Sequence, residues 1–169
     1  FAHEHFGVHP DIMSVAKALG NGLPIGAMLG VERLAEAFGP GSHATTFGGT
    51  PLMTAAALKV VNSIVEDGWL DHCCEMGSHF KARLQELAGR HACIREVRGM
   101  GLMVGVELDK PCASVVEACI DKGFLINCAH EKVLRFVPPL VVGKEEIDML
   151  CEVLDEVLGR IFNNQGESK

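Results

Sequence analysis

The sequence lacks any excess of positive charge: 15 lysines and arginines stand against 22 acidic residues, a net charge of −7 over 169 residues. Such a chain offers no electrostatic support for a nucleic-acid or anionic-membrane partner. No apolar run reaches the ~18 residues needed to span a bilayer, and no charged-then-apolar leader with a small-residue cleavage site is present. C-x-x-C is absent, although there are seven cysteines: Cys73, Cys74, Cys93, Cys112, Cys119, Cys128 and Cys151. Odd in number, they read as reduced, mostly packed thiols of a cytoplasmic protein. H-E-x-x-H is absent too. His3, His5 and His9 invite a metal reading, but Gly7 breaks the motif and no Cys or Asp cluster completes a set, so they read as solvated or half-packed. Gly20-x-Gly22 and Gly99-x-Gly101 resemble a dinucleotide fingerprint, yet Gly26 and Gly105 come one residue late. No GK[ST] occurs, which excludes a Walker loop.

What is present is a 48% hydrophobic chain, able to bury a core and long enough for one domain or the halves of two. Phe1-Ala-His-Glu-His-Phe reads as mid-chain, so the chain is expected to be part of a longer protein. The stretch that organises it runs from Asp11 to Gly26. Lys17 stands there amid small and apolar residues, and Gly20, Gly22, Pro24 and Gly26 follow it. An exposed lysine, with a pKa near ~10.4, is a poor nucleophile at neutral pH. Burial among neutral neighbours would lower that value and free the amine to form a Schiff base. Glycines let backbone approach a ligand where a Cβ would clash. A strand-end lysine before a tight turn is the alternative.

Ile12, Met13 and Val15 suit a strand, and Ile25–Leu29 reads as a second, buried one. Residues 31–38 carry apolar side chains at helical spacing, stopped by Gly39-Pro40-Gly41. Thr50-Pro51 reads as an N-cap with proline at the first helical position, opening a helix to Glu66. Trp69 to about His91 reads as an amphipathic helix. Ile94–Val97 and Leu102–Leu108 read as a hairpin linked through Arg98-Gly-Met-Gly101, with Gly99 and Gly101 structural and Arg98 ion-paired. A short helix follows over 113–122, capped by Gly123. Strands are expected at 124–126 and 133–137, ended by Pro138-Pro139. A last helix starts at Lys144 with acids in its first turn, and the polar end from Asn163 is expected to fray.

Two segments carry further chemistry. His43-x-Thr45-Thr46-Phe-Gly48-Gly49-x-Pro51 places hydroxyls and free N–H groups ahead of a helix, which suits a phosphate but is also common loop composition. Arg135 sits mid-strand between apolar neighbours, where burial of a lone charge would be costly. It is either an outward-facing residue of an alternating strand or a guanidinium that grips a carboxylate in two-pronged fashion.

The order of elements suggests an α/β layer followed by an α+β domain. Asp11-Ile12, then Ala16-Lys17 and Asn21-Gly22, resembles the lysine signature of the class III aminotransferases, and the likeness runs from Phe1 to about Phe162. It is strongest to the acetylornithine branch. The resemblance implies a fold-type I enzyme dependent on pyridoxal 5′-phosphate (PLP). Residues 1–66 would be the tail of the large cofactor domain and its exit helix, and residues 67–169 the small C-terminal domain, an antiparallel sheet with helices on one face. Lys17 would carry PLP through a C=N linkage and then shuttle the proton between substrate and cofactor. Thr46 would bond the cofactor phosphate of the neighbouring subunit, which makes the unit a homodimer, and Thr45 would lie at the substrate. Arg135 matches a late arginine of the family that meets either the substrate carboxylate or an active-site glutamate. The branch implies transfer of the terminal amino group of N2-acetyl-L-ornithine to 2-oxoglutarate, in arginine biosynthesis. Other ω-aminotransferases of the class, acting on ornithine, succinylornithine or 4-aminobutyrate, and a non-catalytic α/β interaction module stand as alternatives. The family's pyridinium-pairing Asp and its main carboxylate-binding arginine lie upstream of Lys17, so the 169-residue chain alone is expected to be inactive.

Overall fold

A computed structural model describes residues 1–163; the end expected to fray lies outside them apart from Asn163. The chain divides into two compact units, Phe1–Asp67 and the residues from Gly68 onward.

In the first unit a helical turn (α1, Ala2–His5) precedes strands β1 (Ile12–Ala16) and β2 (Gly26–Gly30). The strands pair antiparallel, from Ile12 opposite Gly30 to Ala16 opposite Gly26. Every residue of β2 is exposed, contrary to the buried strand expected from its composition, because among the described residues the sheet has two strands and no third joins it. Glu32–Ala37 forms a 3₁₀ helix rather than the α-helix its spacing suggests. The Gly39-Pro40-Gly41 stop leaves too few residues for a costly α-nucleus, and short runs settle for 3₁₀ bonding. Helix α2 (Pro51–Glu66) starts at Thr50 as expected, with proline at its first position. Thr50 makes no side-chain cap; the Thr54 hydroxyl instead donates to the Thr50 carbonyl, 3.1 Å away. Ala57, the buried residue of α2, lies on a helix that packs against the 3₁₀ turn Lys17–Gly20.

The second unit is a four-stranded antiparallel sheet with three helices. Strands β3 (Ile94–Met100), β4 (Met103–Leu108), β5 (Asn127–Ala129) and β6 (Val133–Phe136) stand in the order β3-β4-β6-β5. Helices α3 (Trp69–Arg90), α4 (Ala113–Asp121) and α5 (Lys144–Leu158) supply the other side of the core. Period-2 alternation places the layers. Val104, Val106, Leu108, Leu134 and Phe136 point inward and are buried, while Met103, Gly105, Val133 and Arg135 alternate outward. Phe80 of α3 meets Phe136 edge-on, with ring centroids 5.2 Å apart.

Two glycines make the β3–β4 hairpin possible. Gly99 has φ +146° and a Cβ there would stand 2.2 Å from the Met103 carbonyl oxygen. Gly101, at φ +52°, occupies the two-residue turn. The structural role expected for both is thus met. The strands run further into the turn than the sequence suggested, since Met100 pairs with Met103.

The strand expected at 124–126 is displaced to Asn127–Ala129. The Lys122 and Phe124 N–H groups both donate to the Cys119 carbonyl, so Gly123, at φ +86°, closes α4 and commits the next residues to its cap. The β5–β6 turn places His130 and Glu131 in the left-handed region. The Glu131 carbonyl accepts from the Cys112 N–H at 2.8 Å, which draws the start of α4 onto the hairpin. Cys112 and Cys128 are there joined as a disulfide, Cα–Cα 6.0 Å. This corrects the expectation that all seven cysteines are reduced thiols: no spacing motif marks the pair, and the docking of the α4 start on the β5–β6 hairpin brings them within bridging distance. The other buried thiols do behave as packed apolar groups. Burial pushes Cys119 up to about 11 and Cys151 up to about 12.

The α3–α5 seam is ionic at its edge. Asp148 accepts from Arg83 Nε at 2.8 Å and lies 2.9 Å from His79 Nε2. One heptad on, Asp155 takes Arg90 and the buried His91. Among the described residues no helix is long and apolar enough to cross a membrane.

Candidate functional site

Lys17 sits at a break in the backbone. Ala16 is fully extended, at φ −160° and ψ −164°, and Lys17 turns to φ +56° to begin the 3₁₀ helix. A left-handed lysine costs roughly 1–2 kcal/mol, since its Cβ crowds the following carbonyl. Asn21, at φ +46°, and Gly22, at φ +104°, return the chain toward β2. Gly20 is buried, and a Cβ there would stand 2.8 Å from Ile25 Cγ2. The Gly-Asn-Gly run is therefore what lets the chain reverse within a few residues. Backbone strain of this kind collects at functional sites, where surrounding structure holds it in place.

The Lys17 side chain is exposed in this chain, at a strand end before a tight turn, which is the second of the two readings its sequence left open. The amine has no ion-pair or hydrogen-bond partner among the described residues.

The threonine loop is compact around Thr45. A Cβ on Gly48 would fall 2.0 Å from Thr45 Cγ2, and Gly49 has φ +69°. Thr45 and Thr46 are both exposed, ahead of the α2 N-terminus. The structure places them in the same unit as Lys17, with α2 packed on the Lys17 turn.

Arg135 belongs to the second unit. It lies on the outer face of the sheet, exposed, opposite Gly105 of β4 and Asn127 of β5. It has no ion pair among the described residues. Its alternating, outward position is one of the two readings left open by the sequence. Arg98, on the same face, is ion-paired as expected, through two partners the sequence did not single out. Its Nη1 donates to Glu96 at 2.7 Å and to Glu107 at 2.6 Å. The Glu107 bond, ahead of that from Glu96, holds the Arg98 pKa above the ordinary guanidinium value. Glu96 and Glu107 are cross-strand partners, so strand register could have suggested them.

Comparison with known proteins decides the family. The family model for aminotransferase class III matches residues 1–158. The chain belongs to the class III aminotransferases. It is 49% identical over 160 residues to the acetylornithine aminotransferase of Methanothermobacter thermautotrophicus, covering 94% of this chain and 40% of that protein. It is likewise 49% identical over 164 residues to the acetylornithine aminotransferase of Methanocaldococcus jannaschii, covering 95% and 40%. Among solved structures, the ornithine aminotransferase of Toxoplasma gondii superposes with a TM-score of 0.88 at 30% identity, covering 96% of this chain and 40% of that one. The acetylornithine aminotransferase of Elizabethkingia anophelis gives 0.85 at 26%, covering 95% and 41%. The fold is therefore that of the fold-type I PLP-dependent transferases, and the chain spans about 40% of the length of the class III relatives it matches.

Class III membership implies PLP. The Lys17 segment suits that group: an unpartnered primary amine stands at a strained strand end, beside a turn that tolerates no side chain at Gly20.

Proposed function

We propose that this chain is the C-terminal part of a PLP-dependent aminotransferase that moves the terminal amino group of N2-acetyl-L-ornithine to 2-oxoglutarate. One observation supports the catalytic assignment: Lys17, in the segment that resembles the family's lysine signature, is held left-handed where β1 ends, its amine without a partner among the described residues. When bound, PLP supplies an aldehyde for covalent capture of amines and a ring that accepts electrons. Lys17 Nζ is the group that holds it. Once free, the same nitrogen would take the proton from the substrate carbon as base and deliver it to the cofactor carbon as acid. Thr46 donates its hydroxyl to the cofactor phosphate of the partner subunit in a homodimer, and Thr45 borders the substrate. Arg135 meets a substrate carboxylate with its two-pronged guanidinium. Residues 1–66 are the tail of the large domain with its exit helix, and residues 67–169 are the small domain. We place the enzyme in the cytoplasm, in arginine biosynthesis.

The acetylornithine branch is preferred over other ω-aminotransferases because the curated relatives that match at 45–49% identity carry that name. The test is reductive trapping. Full-length enzyme incubated with PLP and treated with borohydride should carry the pyridoxyl group on Lys17 by peptide mass spectrometry. An adduct on another side chain, or none, ends the proposal. Turnover with N2-acetylornithine, ornithine and 4-aminobutyrate side by side then tests the branch.

A further inference from the structure

The outer face of the sheet carries two rows of side chains. Arg98, Gly105, Arg135 and Asn127 form one cross-strand row, and Glu96, Glu107, Val133 and Ala129 form the next. Glu107 stands on β4, between the strands of the two arginines. It is the diagonal neighbour of Arg98 on β3 and of Arg135 on β6, a relation of roughly 7–8 Å that long side chains bridge easily. No other carboxylate occupies the face of Arg135 in strands β4, β5 and β6: its outward neighbours there are Met103, Gly105, Asn127, Ala129 and Val133. Glu107 is thus the one acid of these strands that could neutralise Arg135, and it is bonded to Arg98 instead, at 2.6 Å. Arg98 also draws Glu96 away, at 2.7 Å.

We infer that Arg98 is a positioning residue that withholds Glu107 from Arg135, so that no acid of strands β4, β5 and β6 occupies the guanidinium that a substrate carboxylate is to meet. The inference rests on the reading that Arg135 binds a substrate carboxylate. Gly105 contributes by what it lacks: with no side chain between the arginines, the Arg135 guanidinium has open space beside it. Removing Arg98 frees Glu107 to fold across Gly105 and pair with Arg135. A carboxylate substrate must then displace an internal one. An exposed pair of this type is worth up to about fivefold in binding, and a competitor that acts on binding alone changes KM with kcat held.

The experiment uses the full-length holoenzyme with 2-oxoglutarate as the varied substrate. Arg98→Gln should raise KM for 2-oxoglutarate about three- to fivefold, with kcat within about twofold. Arg98→Met should do the same, and Arg98→Lys, which keeps a charge for Glu107, should stay near the parent. The double variant R98Q/E107Q should return KM to the parent value, a rescue that loss of sheet packing would not give. The defect should also shrink as salt screens the competing pair. An unchanged KM in R98Q and R98M, or a defect that persists in R98Q/E107Q, overturns the inference. Arg135→Gln separates it from its foundation. If R135Q raises KM while R98Q does not, only the role of Arg98 falls. If R135Q leaves KM unchanged, the carboxylate reading of Arg135 falls with it.

Discussion

Two glycines of the same helix should respond to the same substitution with opposite signs. Gly77 and Gly89 both lie in α3. Each costs the helix about 1 kcal/mol relative to alanine, through backbone entropy and exposed peptide groups. On propensity alone, Gly→Ala stabilises at both. Their surroundings differ. A Cβ on Gly77 would stand 2.2 Å from the Gly101 carbonyl oxygen, 2.5 Å from its carbon and 2.8 Å from its Cα. All three are backbone atoms, and Gly101 also packs on Cys73 of the same helix while holding φ +52° in the β3–β4 turn, so relief requires the turn backbone itself to shift. A Cβ on Gly89 meets nothing within 4 Å.

Forcing α3 off the hairpin disturbs the contact line of Met76, Phe80 and Leu84 with the sheet. Overpacking a close-packed site costs about 1–3 kcal/mol, and an immobile backbone neighbour puts Gly77→Ala at the upper end. Against a propensity gain of about 1 kcal/mol, the net is a loss of about 1–2 kcal/mol. For a unit of roughly 100 residues that is a fall in Tm on the order of 5–15 °C. Gly89→Ala should gain about 0.4–1 kcal/mol and raise Tm by a few degrees. Thermal melts followed by far-UV circular dichroism, with urea titrations to confirm an unchanged m-value, measure both. A Gly77→Ala protein as stable as its parent, or two substitutions that move the same way, would refute the packing argument.

Other expectations follow from the same unit. Reduction, or Cys128→Ser, opens a bridge between residues 16 apart and should cost about 3 kcal/mol; urea midpoints with and without dithiothreitol, and a linked Cys112–Cys128 peptide in non-reducing digests, check it. Phe80→Ala empties a fully buried ring site packed on Phe136 and should cost about 3–5 kcal/mol; a loss under 1 kcal/mol by denaturant titration would contradict that core. Burial raises the pKa of Asp148, but His79 and Arg83 outweigh it and hold the carboxylate below its ordinary range. A depressed folded pKa contributes stability above the unfolded value of about 3.9 and loses it as pH falls through the folded one. The stability gap between parent and Asp148→Asn should therefore close as pH falls below about 4; urea midpoints that show a constant gap between about pH 5 and about pH 3 would count against the pair.

Periodicity alone reveals most of the second unit. The inward set of α5 and the alternation of β4 and β6 are plain in the sequence, because that unit contains both sides of its own core. Residues 1–67 were harder to read for the opposite reason. Their apolar residues, such as Ile12, Met28, Leu29 and Phe47, are exposed in this chain, so the hydrophobic pattern describes a burial that these residues do not supply among themselves. For Lys17 the sequence left a buried amine and a strand-end lysine both open, and what distinguishes it is a backbone angle that no residue pattern states. The chain spans about 40% of the length of its relatives, and the Gly-Asn-Gly reversal and the threonine loop hold their local geometry without burying those apolar residues. The Cys112–Cys128 bridge was illegible for a different reason: it joins the start of α4 to β5, elements that no motif links. The Arg98–Glu107 pair depends on strand register, and a slip of one residue would send Glu107 into the core and Val106 to the surface. The sequence of β4 excludes that slip only because Val104, Val106 and Leu108 all need the helix side. Hydrophobic alternation thus fixes which residues face Arg135 without any of those residues carrying a recognisable motif.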